Sequence, residues 1–161
     1  MNAQLMLRLV INPVLANLLP TKMNSREAKV MLLAIALQES LLQHRKQVGG
    51  PAKGFWQFEK NGGVLEILTQ KDTKSFAEQA CSALLVKPEA QTVYDLIQFN
   101  DQLACVWARL LLWRDPKRIA QNADEGWLQY LRNWRPGKPH PKTWQAHWDH
   151  ASKVVNEAQH G

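Results

Sequence analysis

Apolar positions recur along the chain at spacings of three and four residues, and no strand-length run alternates β-branched with polar residues. This pattern predicts an all-α fold with helices near 3–18, 24–46, 61–69, 74–86, 89–98, 100–114, 124–134 and 141–158. Proline and glycine mark the breaks: Asp115-Pro116 ends one helix and Arg135-Pro136-Gly137-Lys138-Pro139 ends another. The second helix carries a start signal, since Asn24 can cap it and Glu27 follows three residues on, in the manner of a capping box. Its apolar stripe runs Ala28, Met31, Leu32, Ile35, Leu42. Glu39, four residues after Ile35 and three before Leu42, leaves from that inward stripe. With no internal repeat, low-complexity tract or linker, residues 1–161 are expected to form one domain.

Composition supports that picture. The chain is 45% hydrophobic and 21% charged over 161 residues, enough for a core without disulfides or metals. Cys81 and Cys105 each lie in an apolar helical run, which predicts buried free thiols. His147 and His150 share a helix face, but no third ligand accompanies them, so no metal or cofactor is expected. The opening MNAQLMLRLVINPVLANLLP is interrupted by Arg8 and Asn12 and broken at Pro13, which suits an amphipathic helix packed on the domain better than an export signal. No run reaches the ~18 apolar residues of a membrane span, so no stable membrane insertion is expected. Synthesis in the cytoplasm, with no route out of its own, follows as an expectation. The net charge of +6 predicts attraction to polyanions: nucleic acid, anionic lipid or an acidic cell envelope.

The carboxylate on the core-facing stripe changes the picture most. A glutamate in a helix ordinarily pairs with a base or points to water. Here Gly49, Gly50 and Gly54 follow, able to take backbone conformations that a Cβ would block, so the chain can turn back across the helix end. Phe55-Trp56-Gln57-Phe58 then offers a mostly apolar wall for a cleft with Glu39 in its floor. Burial among aromatic groups raises a carboxyl's pKa and keeps it protonated for general-acid work. Glycosidic bond cleavage needs such a group, because the leaving oxygen must be protonated as the ring becomes oxocarbenium-like.

These residues resemble the lysozyme-like superfamily, in particular soluble lytic transglycosylases, goose-type lysozymes and lysozyme-like proteins of tailed bacteriophages. That family's signature opens with Glu-Ser at a helix end and closes with a Gly-x-x-Gln turn. Glu39-Ser40, Leu42, Ala52, Gly54 and Gln57 match it in one register over about 20 residues. The resemblance implies a lysozyme-like domain of seven or eight helices, Glu39 as the catalytic acid/base, Ser40 as a holder of local geometry and Gln57 beside the substrate. Pro51 replaces a usual glycine, Lys46 an alanine and Phe55-Trp56 a Leu-Met pair, changes to the cleft wall more than to its chemistry. A later family segment has a loose echo in Gln129-Tyr130-Leu131-Arg132-Asn133 with Gly137 after it. Tyr130 stands for the active-site tyrosine, while Asn133 does not keep the spacing.

A hydrolase wants a second carboxylate. Glu59 is the nearest candidate in sequence, or a surface residue paired to Lys53 or Lys60; Glu66 and Asp72 lie further along. The transglycosylases, by the resemblance, manage with one glutamate and let the sugar's own hydroxyl attack. Five of seven tryptophans, Trp113, Trp127, Trp134, Trp144 and Trp148, fall in the last third, where Arg132, Arg135, Lys138 and Lys142 also lie. Mostly core tryptophans are expected, with one or two stacking on sugars and Arg135-Pro136-Gly137-Lys138-Pro139 at the cleft edge.

The expectation is a muramidase that cleaves the β-1,4 bond between N-acetylmuramic acid and N-acetylglucosamine, with Phe55, Trp56, Gln57, Gly54, Ser40, Tyr130 and Arg135 around the substrate. Its partner would be the peptidoglycan glycan strand. A bacteriophage setting fits: an endolysin released through a holin-type pore, or a lysin carried among other virion proteins. Two other classes compete, a non-catalytic lysozyme-fold assembly protein and a basic nucleic-acid binder; the second leaves Glu39 unexplained, and loss of function on replacing Glu39 would separate the enzyme from both.

Overall fold

Helical spacing is realised as eight helices, the first built of two segments, and no β-sheet in the computed structural model, which describes residues 1–161. In order they are α1 (Ala3–Met6) continuing through a π turn at Leu7–Ile11 into α2 (Asn12–Asn17), then α3 (Arg26–Ser40), α4 (Leu65–Thr69), α5 (Lys74–Ala83), α6 (Ala90–Ile97), α7 (Asp101–Trp113), α8 (Ala123–Trp134) and α9 (Pro141–His160). One apolar cluster runs through them from Ala3 to Val155, and both cysteines are buried and free within it. No helix is long and apolar enough to cross a membrane.

The first helix runs on through Pro13 by way of a π turn. Proline has no N–H to give to Leu9 O. The π turn lets the Asn12 N–H reach Leu7 O, five residues back, and the Gln102 amide of α7 supplies Leu9 O at 3.4 Å.

The helix carrying Glu39 departs from expectation at both ends and around its girth. Its cap is Ser25, not Asn24: the Ser25 hydroxyl accepts the Ala28 N–H at 3.0 Å. Residues 30–37 are buried without a break, so α3 is not amphipathic but sheathed on all sides, packed most extensively on α9. It stops at Ser40 rather than 46, because Leu41 and Leu42 both take left-handed backbone conformations (φ 53° and 57°). Each costs about 1–3 kcal/mol. Burial of the Leu42 side chain, 2% exposed, offsets part of that cost and turns the chain back toward the helix.

Candidate active site

The last turn of α3 and one face of α8 meet at a cleft of about 920 Å³, closed by residues 47–63 on one side and 135–140 on another. Ser40 pins the returning chain. Its hydroxyl donates to Phe55 O at 2.8 Å, lies 2.9 Å from Ala36 O and accepts the Leu42 N–H at 3.3 Å. Gly54 is required twice over: its φ is +79°, and a Cβ there would come within 3.0 Å of Ile97 O. Gln57, itself left-handed (φ 54°), donates from Nε2 to Gly54 O at 2.9 Å and faces the cleft.

Phe55 and Trp56 do not form the wall expected of them. They are 1% and 0% exposed and point away from the cleft. The Trp56 indole N–H donates to Leu32 O at 2.9 Å, and the Arg45 guanidinium covers the Phe55 ring at 4.4 Å. The turn that brings Gln57 to the cleft directs its two largest apolar groups into the core beside α3, where burial stabilises most. Phe58, Tyr130 and Trp134 are the aromatic rings lining the cleft instead. Trp134 is one turn beyond Tyr130 on α8, and its indole N–H donates to Trp56 O at 2.9 Å.

Glu39 lies in this cleft and accepts the Tyr130 hydroxyl at 2.7 Å on Oε1. Burial lifts its carboxyl from the ordinary 4.5 to about 6, with the tyrosine hydrogen bond pulling the other way. Burial and the neighbouring Glu39 charge hold the Tyr130 phenol well above its usual range, so the phenol stays a donor. Tyr130 cannot swing aside easily, because its ring stacks on Trp144 at 5.4 Å and 10° and meets Trp127 at 5.5 Å. Tyr130→Phe should therefore raise the Glu39 pKa above about 6, since the interaction lost is one that favours the carboxylate. Carboxyl-carbon NMR titration of Glu39 in the two proteins reads this directly, and an unchanged or lower value in the variant contradicts it.

Of the other carboxylates considered, Glu59 and Glu66 line the same cleft and Asp72 does not. Glu59 is exposed and pairs with neither lysine, since Lys53 faces Asp95 at 3.5 Å and Lys60 meets Gln91 at 3.0 Å. Glu66 is held between Arg114 at 2.6 Å and Arg135 at 2.8 Å. Arg135 caps α8 with a left-handed backbone (φ 48°), which starts the 135–140 segment along the cleft rim. Of the five late tryptophans only Trp134 lines the cleft.

Among the cleft residues to which the sequence assigned no individual site role are Gln38, Asn133 and Trp134. The last two stand three and four residues after Tyr130, so helical spacing from that tyrosine could have found them. Gln38 donates to His140 O at 3.0 Å, and its Oε1 lies 3.1 Å from Thr143 Oγ1 and 2.8 Å from His147 Nδ1. It thereby ties the rim and the start of α9 to the turn that carries Glu39. No three His, Cys, Asp or Glu side chains are gathered to hold a metal ion.

Chemically, the arrangement offers a carboxyl protonated below about pH 6, oriented by a fixed phenol, in a cleft of ligand-binding size. Compared with known proteins, the chain matches no family model and has no significant match among curated proteins or solved structures.

Proposed function

We propose that the protein is a peptidoglycan-cleaving muramidase in which Glu39 protonates the β-1,4 glycosidic oxygen between N-acetylmuramic acid and N-acetylglucosamine. The observation that carries the reading is the partly buried Glu39 carboxyl, lifted to about 6 and held by Tyr130 within an open cleft. An acid tuned to that range remains partly protonated near neutral pH and loses its proton readily in the transition state.

Glu39 gives its proton to the leaving oxygen as the C1–O bond breaks, and the resulting carboxylate then takes a proton from the attacking hydroxyl. One poised carboxyl favours the route in which the sugar's own C6 hydroxyl attacks C1 and closes a 1,6-anhydro ring. Glu66 is occupied by two arginines, and Glu59 stands exposed at the rim. Gln57, Tyr130 and Trp134 would orient the glycan, and Arg135 and Lys138 suit an anionic wall.

Mass spectrometry of the products released from purified peptidoglycan tests this. Anhydro-ended muropeptides are expected. Reducing ends would replace the single-acid route with hydrolysis, and no release from a wall that a control lysozyme digests would overturn the function.

A further inference from the structure

Asn133 is 8% exposed and lines the cleft one turn beyond Tyr130 on the same face of α8. Its Nδ2 donates to Asp115 Oδ2 at 2.7 Å and to Gln129 O at 2.9 Å. Both partners are acceptors there. A backbone carbonyl has no proton to give, and Asp115 is kept ionised: against the opposing effect of burial, its bonds from the Lys117 N–H, Asn133 and Arg132 hold its carboxyl below the usual range. The amide can thus face this pair only with its NH₂ group, and the orientation is fixed by chemistry.

The consequence falls on the other edge. Asn133 Oδ1 receives no hydrogen bond from the protein. Two fully enclosed side-chain oxygens lack one, Asn12 Oδ1 and Glu66 Oε2, the latter ion-paired to Arg114; Asn133 Oδ1 is not enclosed, and the face its residue presents to solvent is the cleft. A preorganised, unpaired acceptor thus stands beside the tyrosine that holds Glu39.

We infer that Asn133 Oδ1 binds a neutral donor of the glycan, a sugar hydroxyl or an acetamido N–H, and that Asp115 sets the orientation that makes it an acceptor. This rests on the glycan reading above and adds a specificity element to it. The Asp115–Asn133 pair would discriminate against ligands that present an acceptor at this point, because the amide cannot rotate to donate.

The test uses chitotetraose and cellotetraose as probes, titrated into Glu39→Gln so that nothing is cleaved. Asn133→Leu in that background should weaken chitotetraose binding roughly three- to tenfold in titrations run well below its melting temperature, which should itself fall by a few degrees because the bond to Asp115 is lost. An equal loss with cellotetraose assigns the donor to a hydroxyl, and a loss confined to chitotetraose assigns it to the acetamido group. Side-chain amide NMR on Glu39→Gln itself needs no further variant: the Asn133 Nδ2 protons should shift saturably with chitotetraose. Unchanged affinity in the Leu variant, or cleft signals such as Gln57 shifting while Asn133 stays still, overturns the Asn133 role and leaves the enzyme reading standing. Failure of both probes to bind also overturns it, and muropeptide release by the wild type then decides whether the enzyme reading falls too.

Discussion

Glu39→Gln is expected to lower muropeptide release by about 10³-fold while making the protein more stable at pH 7.5. Both effects come from one proton. The glutamine keeps the shape and can still accept the Tyr130 hydroxyl now bonded to Glu39 at 2.7 Å, but it has no proton to give to a leaving oxygen. For stability, the carboxyl is ordinarily half-protonated at 4.5 and in the folded protein at about 6, so the folded state binds the proton more tightly. Stability from this group is full below 4.5 and is lost as pH rises through about 6. At about 1.4 kcal/mol per tenfold change in proton affinity, the loss is about 2 kcal/mol above that range. The glutamine variant does not suffer it. Its melting temperature should match the wild type near pH 4 and exceed it by a few degrees at pH 7.5. Activity of the wild type should fall as pH rises through about 6, because the reaction begins from the protonated form. Retained activity in the variant removes Glu39 as the acid. Loss of activity with a lower melting temperature at pH 7.5 contradicts the buried-acid account.

That site was partly visible in the sequence because its chemistry and its backbone needs are local. A glutamate on an apolar helical stripe, a glycine that must be left-handed, and a glutamine three residues beyond it lie within 39–57, and the structure brings Glu39 and Gln57 to one cleft. Helix existence was legible throughout for the same reason, since apolar spacing is a local signal. The ends of α3 were not. Two consecutive left-handed leucines have no propensity signature, and they persist because Ser40 bonds Phe55 O, fifteen residues away. Nor could local pattern show that α3 is sheathed all round, which depends on α9 packing against it from the far end of the chain. The acid's surroundings were equally non-local. Tyr130 reaches Glu39 across 91 residues, and Gln38 holds His140 across 102. Aromatic content alone could not say which rings face the cleft, because Phe55 and Trp56 are suited in character to either side.

Trp56→Ala should be the most destabilising change in the 42–58 turn, at about 3–5 kcal/mol and a fall in melting temperature on the order of 10 °C. The ring is wholly buried, so its removal costs transfer energy and leaves a cavity that the surrounding helices can only partly close. The variant also loses the indole hydrogen bond to Leu32 O, although that carbonyl still has its helical partner. Trp56→Phe separates the terms: it keeps most of the volume and loses the N–H, so it should cost about 1–2 kcal/mol. The pair distinguishes a core role from a cleft role. A tryptophan that stacked on sugar would, when truncated, weaken glycan binding at an unchanged melting temperature, whereas this one should lower the melting temperature first. Thermal unfolding followed by circular dichroism gives the answer, and an alanine variant melting within about 2 °C of the wild type would return Trp56 to the cleft wall. The expected loss reaches the site as well, because Trp56 O anchors the indole of Trp134 at the cleft wall and Ser40 anchors the preceding carbonyl. The same buried turn that removes Trp56 from contact with ligand fixes the positions of the residues that remain in contact with it.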